Sequence, residues 1–157
     1  MDKDTEKELV LPYKLMEIGW GDRRFTISCV GIDTEAGSKA AKSCKFEVSY
    51  KSGSIDCRMP LSVQAWELWA FNYDLDTAYD INSCRNAKAG LSCGNGELTI
   101  VFDENCRCSV SGKFDNGGHD GVFFTLAADT AEIGDSIYSM EVFFDGLEKI
   151  QGSRDFF

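Results

Sequence analysis

The residue pattern predicts an α+β domain built mainly on antiparallel sheet, with about seven strands and two helices packed on it. Three observations lead there. Short segments alternate apolar and polar residues, as half-buried strands do, and most are separated by turn residues only a few positions long. Connections that short join antiparallel neighbours, because a parallel crossover needs a dozen residues or more. Finally, the strands come in two runs, each followed by one helical segment, rather than alternating one strand with one helix.

The first run holds four strand signals. Leu9 to Ile18 is short and apolar, and Pro12 points to a sheet edge or an irregular start. Arg24 to Ile32 sets Phe25, Ile27 and Cys29 against polar partners, and Lys45 to Tyr50 places Phe46, Val48 and Tyr50 on one face. Ser52-Gly53 forms a tight turn, and Ser54 to Met59 returns as the hairpin partner. A helix follows, with Ser62 as the expected N-cap. Val63, Trp66, Trp69 or Ala70, Tyr73 and Tyr79 fall near helical spacing, so this face is expected inside, with Trp20 also expected in the core. Glu67, Asn72, Asp74 and Asp76 take the opposite side. Ile81 to Gly96 is polar and glycine-bearing, and reads as a loop.

The second run contains Glu97 to Phe102, Arg107 to Phe114 and Gly121 to Ala127, separated by the turns Asp103-Glu104-Asn105 and Asn116-Gly117-Gly118. The closing helix has the clearest signature. Asp129 and Glu132 have capping-box spacing, and Ile133, Ile137, Met140, Phe144 and Leu147 then step by four, three, four and three, one core-facing stripe. Residues 1–8 read as a disordered, solvated tail, and residues 9–157 as a single domain.

A chain of 157 residues, 43% hydrophobic and 12% aromatic, can build a core without disulfides or metal. MDKDTEKE is no export signal, and no apolar run is long enough to span a bilayer, so a cytoplasmic protein is expected. The seven cysteines are odd in number and irregularly spaced, which favours reduced thiols. With 16 basic and 26 acidic residues, the net charge is −10. Without clustered Lys and Arg, nucleic acid and anionic membrane are not expected partners, whereas a basic protein would be steered in.

Catalytic signals are weak. The one histidine, His119, lies in the turn-rich DNGGHDG and reads as a solvated turn residue rather than a triad member. Gly134-Asp135-Ser136 imitates an esterase signature but sits inside the last helix, with no histidine after it. Cys106-x-Cys108, with Cys84 and Cys93, lacks the knuckle spacing of a zinc site, and DNGGHDG lacks the terminal Glu of a calcium loop. No catalytic residue, metal ligand or cofactor is expected. Asp74, Asp76 and Asp80, late in the first helix, are the candidate partner-binding residues. Like charges there oppose both one another and the helix dipole; they read either as a solvated face or as a docking surface for a basic partner.

MPLSVQAWELWAFNYDLDTAY, GELTIVFDENCRCSVSGKF and GVFFTLAADTAEIGDSIYSMEVFFDGL together resemble a strand-to-helix junction, a central hairpin and a final strand entering a capped helix in the WapI-like family of small bacterial immunity proteins. The family's usual Asp-Gln at the last helix reads Asp129-Thr130 here. The resemblance implies a non-catalytic protein that neutralises a toxin by direct docking; with the acidic charge, a basic toxin domain is the expected partner. The alternatives are a regulatory or structural interaction module, and an enzyme with an unrecognised site.

Overall fold

The computed structural model describes residues 9–80, 85–118 and 120–156. Within them the chain forms eight strands arranged as two four-stranded antiparallel sheets. The first sheet holds β1 (Tyr13–Trp20), β2 (Arg23–Gly31), β3 (Lys45–Ser52) and β4 (Ile55–Leu61), in chain order. The second holds β5 (Lys88–Cys93), β6 (Gly96–Phe102), β7 (Cys108–Asp115) and β8 (Gly121–Ala128), again in chain order. Each is a meander, with short turns at every connection inside the sheets except β2 to β3. A 3-10 segment (Thr34–Lys39) running into the short helix α1 (Ala40–Ser43) links β2 to β3; α2 (Ala65–Asp80) links the two sheets, and α3 (Thr130–Gln151) closes the chain.

Alternation along the strands decides which faces meet. Phe25, Ile27, Val48 and Tyr50 point inward from the first sheet, and Leu98, Ile100, Val110, Phe114 and Phe124 from the second. The two inner faces meet through rings: Phe25 lies 4.8 Å from Phe124 and 5.9 Å from Phe114, and Tyr50 stacks on Phe124 at 4.6 Å. Such pairs contribute about 0.5–1.5 kcal/mol each beyond the burial of their area. The core continues without a break from this ring cluster to the helices, where Phe143 touches Phe46, Tyr13 and Phe144.

Helix α3 buries the expected stripe, Ile133, Ile137, Met140, Phe144 and Leu147, together with Phe143. Asp129 is its N-cap and accepts the Ala131 N–H at 3.0 Å; Gly152 closes it in the left-handed conformation, φ +80°. Glu132 does not complete a capping box. Its carboxylate accepts the Gly19 N–H of β1 at 2.8 Å instead. Ser136 accepts the Glu17 N–H, and Ser139 donates to the Lys14 carbonyl. β1 is an edge strand, so the polar side of α3 satisfies the backbone groups that such an edge leaves open.

The structure corrects several sequence expectations. The expected loop 81–96 contains β5, the eighth strand, and α1 is a third helix. Ser62 is not the cap of α2; its N–H donates to Asn95 Oδ1, while Glu67 accepts the Gln64 N–H at 2.7 Å in the first turn. The inward stripe of α2 is Ala65, Leu68, Phe71, Leu75 and Ala78, so the face bearing Trp66, Trp69 and Tyr73 turns outward. Trp20 is 80% exposed. Cys29, Cys44, Cys57, Cys93 and Cys108 are free thiols, as expected, but Cys106 is disulfide-bonded, against the expectation that every thiol is reduced. Cys106 has a left-handed φ of +59° in the turn before β7, outside the strand that carries the buried Cys108. Residues 1–8, Cys84 and His119 lie outside the described residues. No described helix is long and apolar enough to cross a membrane.

Candidate functional site

Among the described residues, three of the surface hollows bear on partner binding. The outer face of the first sheet forms an open trough of about 630 Å³ whose lining includes Lys14, Glu17, Arg24, Glu47, Lys51 and Arg58. Its charges already answer one another. Lys14 and Arg24 reach Glu17 at 2.7 and 3.7 Å, and Arg58 reaches Glu47 at 3.3 Å, while Lys51 reaches Asp56 at 3.8 Å. Exposed pairs of this kind, one within β1 and three across strands, contribute little each but leave no strong field of one sign. The second hollow, between α2 and β5, runs along Asp74, Thr77, Ala87, Gly90 and Thr99.

The third is a groove of about 280 Å³ between α2 and α3. Its α2 wall carries Trp69, Asn72, Tyr73 and Asp76, one helical face at spacings of three and four. Its α3 wall carries Glu141, Phe144 and Asp145, and Arg154 stands at one end. The Trp69 and Tyr73 rings stack at 6.3 Å, with 38% and 66% of each residue exposed. Arg154 pairs with Asp145 and, at 2.7 Å, with Glu148. Asp76 and Glu141 make no ion pair among the described residues. The groove thus combines flat aromatic faces with uncompensated negative charge.

Of the three aspartates named from the sequence, Asp76 stands in this groove and Asp74 in the hollow beside β5. Two residues of helix separate them by more than half a turn, so they do not form one patch. The side chain of Asp80 lies outside the described residues. Sequence reasoning missed Asn72, Glu141 and Asp145. They join Asp76 only because α2 packs on α3, which no local pattern announces. A reading that took Leu68, Phe71 and Leu75 as the core stripe would have put Trp69 and Tyr73 outside together.

Reactive groups sit elsewhere. The hydrogen-bonding interaction between the Cys29 and Cys44 thiols holds Cys29 below its ordinary value and, with burial, pushes Cys44 well above it. Burial, with the nearby Glu132 charge, pushes Cys108 up to about 12. Among the described residues, no group of three or more His, Cys, Asp or Glu could hold a metal ion. The chain matches no family model and no curated protein.

Proposed function

We propose that this chain is a non-catalytic binding protein that docks a basic protein through the outward face of α2, in the manner of an immunity protein covering a toxin. The observation that carries the reading is the exposed Trp69–Tyr73 stack beside the carboxylates of Asp76 and Glu141, which make no ion pair among the described residues. Aromatic side chains on a surface otherwise dominated by charge are the usual anchors of protein interfaces. A net charge of −10 steers a basic partner toward them over a range set by the Debye length, about 8–10 Å at physiological salt. Rigid docking needs no chemistry from this chain; covering the partner's working surface is sufficient.

The test is co-expression with the product of the adjacent gene, followed by association kinetics at low and high salt. The expected result is a complex whose on-rate falls as salt rises and falls further in Asp76→Lys. Absence of a complex, or a rate indifferent to both salt and charge reversal, would overturn the reading.

A further inference from the structure

The chain buries two side-chain amides near its helices, and they are treated differently. Gln151 spends its hydrogen bonds within the chain: Oε1 accepts the Ala41 N–H at 3.1 Å, and Nε2 donates to the Ser153 and Asp155 carbonyls at 2.9 Å each. Asn72, only 6% exposed, is half satisfied. Its Nδ2 donates to the Ile137 carbonyl at 3.4 Å, which fixes the orientation of the amide, and leaves Oδ1 with no donor. Reversing the amide would set two carbonyl oxygens against each other. Buried acceptors are nearly always paired, so an unpaired one calls for an explanation. This one belongs to a residue of the α2–α3 groove wall, which also carries Trp69, Tyr73 and Asp76.

We infer that this groove is a subsite for one arginine side chain of a protein partner. The inference deepens the docking reading above and rests on it for the identity of the partner as a protein. Three features converge on a guanidinium. Trp69 and Tyr73 offer ring faces, on which a planar cation stacks. Asp76 and Glu141 offer carboxylates without an in-chain counter-ion among the described residues. Asn72, a residue of the groove wall, offers in Oδ1 a buried neutral acceptor with no donor among the described residues. A guanidinium has several donors in a rigid plane and can meet both kinds of acceptor while stacking; an ammonium has no plane to stack. The chain itself supplies a precedent, since Arg154 is held at the groove's end by Asp145 and Glu148. The volume of about 280 Å³ also falls below the roughly 300–1,000 Å³ of small-molecule sites, and suits a side chain better than a cofactor.

The probe is a capped Gly-Arg-Gly peptide, titrated against the full chain and followed by NMR at the Asn72 side-chain amide and the Trp69 indole. Capped Gly-Lys-Gly and Gly-citrulline-Gly, the latter an uncharged isostere, are titrated in parallel. The arginine peptide is expected to shift both signals with weak affinity, the lysine peptide to bind several-fold less well, and the citrulline peptide not to bind. Trp69→Ala should weaken binding about two- to fivefold, the value of an exposed cation–π contact, and Asp76→Asn by a similar factor. Asn72→Leu should weaken binding while leaving the melting temperature unchanged or raised, an outcome that a purely structural asparagine would not give. Equal binding of the lysine or citrulline peptide, or shifts confined to other surfaces, overturns the subsite. The two readings fail separately: a partner protein whose association is salt-sensitive but unaffected by free arginine peptide sinks the subsite alone. Peptide binding in the groove, with the partner indifferent to Asp76→Lys, sinks the docking reading alone.

Discussion

Gly112→Ala would test the packing of the ring cluster that joins the two sheets. Gly112 faces inward on β7, and a Cβ added there would stand 2.4 Å from Phe124 Cζ, 2.5 Å from Cε1 and 3.0 Å from Phe114 Cε2. The Phe124 ring would have to retreat by about 1 Å to reach an ordinary contact of 3.4 Å or more. It has little room, because Tyr50 and Phe25 hold it at 4.6 and 4.8 Å. Overpacking of this kind costs about 1–3 kcal/mol, and loosening the ring stack adds a fraction of the 0.5–1.5 kcal/mol that each pair contributes. Replacing glycine inside a strand returns about 0.5–1 kcal/mol. The net expectation is a loss of about 1–3 kcal/mol, or a melting point lower by about 3–10 °C at this chain length. Gly90→Ala on the outer face of β5 is the control. Its Cβ would meet only the Leu98 carbonyl, at 3.7 Å, so the backbone gain should stand alone and the variant should match or exceed the parent. Urea unfolding followed by circular dichroism measures both. Adding Phe124→Leu to Gly112→Ala should cost less than the sum of the single changes, since the smaller side chain vacates the collision. Equal stabilities for the two glycine variants, or strict additivity in the double variant, would refute this account of the core.

Two further predictions concern the rest of the core. Phe144→Ala should destabilise by about 3–5 kcal/mol in the same assay, because the ring is 1% exposed and touches Phe143 and Phe156 at 5.2 Å each; a near-neutral result would mean that the α3 stripe does not carry the packing assigned to it. Cys108 has a folded pKa of about 12 against an ordinary 9.0, so the native state favours the neutral thiol: its contribution is complete below pH 9 and is lost as pH rises toward 12. A plot of urea midpoint against pH should therefore fall less steeply between 9 and 12 in Cys108→Ala than in the parent, and parallel curves would exclude this thiol as a source of the slope.

How much of this was legible beforehand depended on whether one periodicity stood unopposed. In α3, only one stripe of large apolar residues exists, so Ile133 to Leu147 could be read directly and proved buried. The hairpins β3–β4 and β7–β8 were equally clear, because alternation and turn residues agreed. β5 was not: its inward positions are only Ala89 and Leu91, with Gly90 between them, and its place depends on pairing with β6. α2 carries two competing stripes. Leu68, Phe71 and Leu75 oppose Trp66, Trp69 and Tyr73, and the bulkier set reads as the core by size alone. Packing decides otherwise, since the slimmer stripe with Ala65 and Ala78 lets α2 approach its neighbours closely. Asp76 was visible as a candidate because local charge is visible. Asn72 was placed among the solvated residues because no single-helix pattern shows that a neighbouring helix will cover it.

That reversal of α2 is also what gives the surface its character. Had Trp69 and Tyr73 turned inward, Asp76 would stand on an ordinary solvated face and the charge of −10 would serve solubility alone. Turned outward, the rings form a platform beside carboxylates that no described residue neutralises, while the larger trough on the first sheet balances its own charges across strands. Leaving a ring pair half exposed forgoes the burial that a core position would provide, and leaving Asn72 Oδ1 unpaired costs about 1–3 kcal/mol. Both penalties fall on the same groove. A bound cation with a flat face would relieve both at once, which neither water over the rings nor a purely apolar partner would do.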